Sequence, residues 1–147
     1  MGMLDRRGGW ILCSAIALYA LSLALPAVNV LDKPLFGGGQ TAKVYPGVIC
    51  AAMGWLVLPG WLGNPMFLAA AICHGLRRHR VAIVLLSIGL LSSLLAPLMF
   101  VWTRKEMIEL TDVRVGYYVW IASMVVLLGG ATRGAISDVD RRPAQHR

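Results

Sequence analysis

The residues that could do chemistry fall into two groups. His74 precedes, and His79 lies within, the basic run Arg77, Arg78, Arg80. Such a run attracts an anionic lipid headgroup, at about 1 kcal/mol per basic residue near a membrane surface. Arg77, Arg78, His79 and Arg80 are therefore a candidate anionic-lipid site. A metal or haem site on His74 or His79 needs a further partner at matching depth. The adjacent Cys73 is no such partner, because neighbouring helical residues point about 100° apart. The second group is Glu106, Glu109 and Asp112. Glu106 and Glu109 are three apart and could share a helical face for acid/base work or cation binding, but a solvated amphipathic turn is the favoured reading.

Other motifs carry less. Gly37-Gly38-Gly39 has no Gly-Lys-Ser/Thr after it, as a phosphate-binding loop requires, and reads as a flexible turn. Cys13, Cys50 and Cys73 are odd in number, scattered and inside apolar runs, which argues for small buried hydrophobes rather than a disulfide framework. No catalytic constellation, cofactor motif or metal-ligand spacing emerges, so no enzyme activity and no cofactor is expected.

The elements that must position these residues are apolar runs. The chain has 147 residues, 58% hydrophobic and 14% charged, with mean hydropathy +0.69. A soluble domain carries about 25% charged residues, and a disordered chain is charge-rich. The expected class is all-α: an integral membrane bundle of four transmembrane helices, the second interrupted by Pro, Gly and Asn. The spans are 10–28, 47–76, 81–102 and 116–132, in one transmembrane domain covering 1–132. Residues 133–147 read as a mobile basic tail. The run 10–28 has a charged lead and the length of a retained anchor; cleavage as a signal is the other reading of it.

The second span is irregular. Pro59-Gly60 breaks it, and Asn64 before Pro65 predicts an N-cap with a first-turn proline. A short helix over 47–58 and another over 65–76 are expected. Non-helical backbone at membrane depth is tolerated only where it is buried in protein or lines a wet cavity. Trp55 and Trp61 flank the break, and with Tyr45 they would form an interfacial belt, as would Tyr117, Tyr118 and Trp120. The segments 29–45 and 103–114 read as polar loops.

Four crossings place Arg6, Arg7, Arg77, Arg78, Arg80, Arg133, Arg141, Arg142 and Arg147 on one side. Lys33, Lys43, Arg104, Lys105 and Arg114 fall on the other. Basic residues accumulate in the cytoplasm, so both termini are expected there, in a bacterial inner membrane. The net charge of +7 is then a matter of topology and lipid, not of nucleic acid.

No Asp, Glu, Lys or Arg lies within a span, which weighs against a proton-coupled transporter. Small residues at four-residue spacing allow close helix approach. Ala20 with Ala24, Gly89 with Ser93, and Ser92 with Ala96 are candidates for internal packing or for a partner face. The functional expectation is a non-enzymatic accessory or scaffold subunit of a bacterial membrane complex, partnered by lipid and by other membrane subunits or copies of itself. The alternative is a small oligomeric pore or transporter with the Pro59–Asn64 break lining the path.

The segments Gly54-Trp55-Leu56, Trp61-Leu62-Gly63-Asn64-Pro65 and Gly116-Tyr117-Tyr118-Val119-Trp120, taken with the order of spans, resemble small uncharacterised four-helix membrane proteins of bacteria over residues 10–132. The resemblance implies fold and topology and carries no functional residue.

Overall fold

A computed structural model describes residues 3–32, 41–53, 62–103 and 108–141, with side chains over 9–29, 42–52, 62–95 and 113–139. The chain is mostly helical, as the all-α class requires. Helix α1 covers Met3–Ala24, α2 Gly47–Met53, α3 Gly63–Gly75, α4 His79–Thr103 and α5 Val115–Arg141. Among the described residues, one stretch, Val115–Val139, is long and apolar enough to cross a membrane; Gly9–Ala24 and His79–Leu95 are shorter apolar helices.

The segments expected as loops contain strands. β1 (Pro26–Asp32), β2 (Thr41–Pro46) and β3 (Ile108–Val113) form an antiparallel sheet in the order β2-β1-β3. The sheet closes one end of the bundle, where α1 and α4 finish and α5 begins. Asn29 lies opposite Val44 on one side and Asp112 on the other. Glu109 is thus a strand residue opposite Leu31, so the helical face it was expected to share with Glu106 does not form. Glu106 and Gly37-Gly38-Gly39 lie outside the described residues.

The corner between helices and sheet is tight. A Cβ on Gly47 would strike the Ser22 carbonyl, and one on Gly116 would lie 2.8 Å from the Pro26 carbonyl. The backbone N–H of Gly47 donates to Leu25 O and that of Arg114 to Ala27 O.

The core holds many small residues. Ala15, Ala70, Ala82 and Ala131 are buried with Phe67, Leu86, Met124 and Leu127. Ser22, Ser93, Ser123 and His74 are buried as well. Large apolar side chains point outward instead: Leu68, Ile72, Val84, Ile88, Leu91 and Val125 are each about half exposed or more. Tyr19 stacks on Phe67 with ring centroids 4.7 Å apart, joining α1 to α3.

Pro97 lies inside α4 and has no N–H to offer the carbonyl of Ser93, its partner four residues back. Tyr117 Oη donates to that carbonyl at 2.9 Å from α5. Tyr117, expected in an interfacial belt, thus points inward, while Tyr118 stays exposed.

Two further boundaries differ from expectation. Helix α3 begins at Gly63 with Leu62 as its N-cap and no side-chain cap. Asn64 is therefore inside the first turn, where its Oδ1 accepts from Tyr19 Oη at 3.2 Å. Pro65 also sits in the first turn, where a missing N–H costs least. Helix α5 continues to Arg141, so 133–141 is helical, beyond the span end expected at 132. Ser137 Oγ donates to Arg133 O within that extension, and Asp138 on it reaches His79.

Candidate functional site

The end of the bundle away from the sheet gathers His74, His79 and Asp138. His74 ends α3 and is buried, at 6% exposure. His79 opens α4. Five residues apart, the two would not meet on a continuous helix. The chain reverses between them through a turn in which Arg77 N donates to His74 O at 3.0 Å and Arg78 N to Cys73 O at 2.8 Å. These two bonds are the Schellman closure of a helix. It needs a left-handed residue after the cap, and Arg77 supplies it with φ 60.

The turn sets His74 Nδ1 3.3 Å from His79 Nδ1. The rings are tilted by 59°, with centroids 4.9 Å apart. On its other side His79 Nε2 lies 3.9 Å from Asp138 Oδ2, with His79 largely enclosed and Asp138 half exposed. When neutral His79 carries its proton on Nε2, toward that carboxylate, its Nδ1 accepts and His74 Nδ1–H donates between the rings.

Helix α5 makes room for His79 with Gly134 and for Ile11 with Gly130, one turn apart. A Cβ on Gly134 would lie 2.7 Å from His79 Cε1 and Nε2. One on Gly130 would lie 2.5 Å from Ile11 Cγ2 and 3.7 Å from His74 Cε1. Asp138 follows at the next turn of the same face. Gly130 and Gly134 were missed as a small-residue pair in the sequence, although their four-residue spacing was the available signal.

The other predicted site residues separate. Arg78 and Arg80 are exposed beside this site, as is Arg77, so the basic run surrounds the histidine pair. Gly89 and Ser93 are buried against α3: a Cβ on Gly89 would lie 2.9 Å from Met66 Cβ, and Ser93 Oγ donates to Gly89 O at 2.7 Å. They lie at the contact between α3 and α4. Ser92 Oγ also donates to Gly89 O. Ala20 and Ala24 are exposed on α1. Ala96 lies on α4 beyond the residues with described side chains. Pro59, Gly60, Trp55, Trp61 and His146 lie outside the described residues. Asn64 is engaged by Tyr19.

Among the described residues, no three His, Cys, Asp or Glu side chains converge on a common point. The pair of imidazoles with a carboxylate behind one of them is the most chemically capable arrangement described. Comparison with protein-family models, with curated proteins and with solved structures finds no match.

Proposed function

We propose that this chain is a non-enzymatic integral membrane protein of the bacterial inner membrane that works by lateral association with other membrane subunits or copies of itself. The supporting observation is the outer face of α1. At 100° per residue, Cys13, Ala17, Ala20 and Ala24 fall within about 60° of one another, nearly opposite the buried Ala15 and Ser22. All four are exposed, flanked by the larger Trp10, Ile16 and Leu21. A trough of small residues on a lipid-facing helix lets a second helix approach closely.

Membrane residence is supported by the distribution of side chains. Large apolar groups coat the outside while alanine, glycine and serine fill the contacts between helices, as expected where lipid removes the hydrophobic drive for helix association. Val115–Val139 is long and apolar enough to cross, and Gly9–Ala24 and His79–Leu95 are shorter apolar helices that rise about 24 and 26 Å against a hydrocarbon core of about 30 Å. Pairing of β1 with β3 requires the segments 26–32 and 108–113 to share one side, which fits four crossings. Termini in the cytoplasm would bring Arg77, Arg78 and Arg80 to the anionic inner leaflet.

The test uses the face itself. Extracted from its native membrane in mild detergent, the protein is expected to run as an assembly larger than its 15.9 kDa chain. A thiol cross-linker at Cys13 should capture the partner, and Ala20→Leu with Ala24→Leu should abolish both effects. A monomer, or an assembly indifferent to these substitutions, would refute the reading.

A further inference from the structure

We infer that His74 and His79 together form a binding site for a transition-metal dication of the Zn²⁺ class. Two imidazole nitrogens on a tetrahedral zinc, each at about 2.0–2.1 Å, stand about 3.3 Å apart. The two Nδ1 atoms are already at 3.3 Å. A modest rotation of the rings, which are tilted by 59°, turns both lone pairs toward one ion. His74 takes its other neutral tautomer, with the proton on Nε2, so that both Nδ1 atoms present lone pairs and the ion takes the place of the shared proton.

Asp138 completes the arrangement without touching the ion. Metal-bound histidines commonly donate their second ring N–H to a carboxylate, which fixes the tautomer and raises ligand basicity. His79 Nε2 faces Asp138 Oδ2 at 3.9 Å, so His79 is already oriented to present Nδ1. The protein supplies two ligands and water fills the remaining positions, which leaves the ion open to exchange. Imidazole donors select zinc, copper or nickel over magnesium and calcium, which prefer oxygen. Gly134, with no Cβ, lets the His79 ring pack directly on α5.

The experiment uses the full chain, purified without a polyhistidine tag and titrated with Zn²⁺ by calorimetry. One ion per chain is expected, with no comparable response to Mg²⁺. His74→Gln and His79→Gln should each abolish binding. Asp138→Asn should weaken it by about 10–100-fold, and His146→Ala should leave it unchanged. Because a substitution at buried His74 could unfold the protein, the wild-type chain is also loaded with Cu²⁺. Its electron paramagnetic resonance should show two imidazole nitrogens on one ion. Absence of saturable Zn²⁺ binding, a single nitrogen on Cu²⁺, or dependence on His146 would overturn the inference.

Discussion

Tyr117 Oη donates to the Ser93 carbonyl at 2.9 Å, and it does so where α4 cannot provide a donor of its own. The residue four positions after Ser93 is Pro97, which has no N–H. Inside a low-dielectric bundle an unsatisfied carbonyl costs about 1–3 kcal/mol. Tyr117→Phe should therefore destabilise the protein by about that amount, read as reduced resistance to denaturation by SDS. Pro97→Ala restores the helical donor. In that background the cost of Tyr117→Phe should shrink by about half or more, a coupling that a double-mutant cycle isolates. Equal costs in both backgrounds would show that Tyr117 acts by packing alone.

Arg77 holds a conformation that suits glycine. A non-glycine residue in the left-handed region carries about 1–2 kcal/mol of steric cost, and glycine there loses more chain entropy on folding. Arg77→Gly should therefore be neutral or stabilising by up to about 1 kcal/mol. Arg77→Val, β-branched at the same φ, should be destabilising by more than that. Thermal unfolding of the three proteins in one detergent checks the order. A stable valine variant would mean that the turn relaxes away from φ 60.

The contrast between what the sequence disclosed and what it hid follows from range. Apolar runs placed the helices to within a few residues at α4 and at the start of α5, because span length is a local property. The strands were hidden. Val28-Asn29-Val30, Lys43-Val44-Tyr45 and Ile108-Glu109-Leu110 each alternate, but over too few residues to stand out beside charges and glycines. Their partners are also distant in the chain. His74 and His79 were visible as residues, yet their meeting depends on one left-handed arginine. Asp138 lay in a segment whose polar composition reads as a tail, and only docking on α4 gives it a role. The N-cap assigned to Asn64 failed because α3 already starts at Gly63, which puts Asn64 inside the first turn, where its side chain accepts from Tyr19.

Gly129 and Gly130 are adjacent and should respond oppositely to alanine. A Cβ on Gly129 meets nothing within 4 Å, so Gly129→Ala should stabilise α5 through helix propensity, by up to about 1 kcal/mol. A Cβ on Gly130 meets Ile11 Cγ2 at 2.5 Å, and the branched isoleucine has little rotamer freedom to yield. Gly130→Ala should cost about 1–3 kcal/mol through overpacking. Ile11→Ala in the same chain should recover part of that loss. Indistinguishable midpoints for the two glycine variants would refute the close approach of α1 to α5.

The sheet predicts which residues at its end of the bundle can be joined. Val28 is opposite Val113 on β3 and Tyr45 on β2. Directly opposed residues on antiparallel strands have Cβ atoms about 4.5–5.5 Å apart, which small adjustments bring within disulfide reach. In a chain with Cys13, Cys50 and Cys73 replaced by alanine, Val28→Cys with Val113→Cys should oxidise to an intramolecular disulfide. So should Val28→Cys with Tyr45→Cys. Tyr45→Cys with Val113→Cys should not, because β1 lies between them and the two outer strands are about 9.5 Å apart at ordinary strand spacing. Mobility on a non-reducing gel distinguishes the three pairs. A bond between positions 45 and 113 that forms as readily as the other two would mean that β1 is not the central strand.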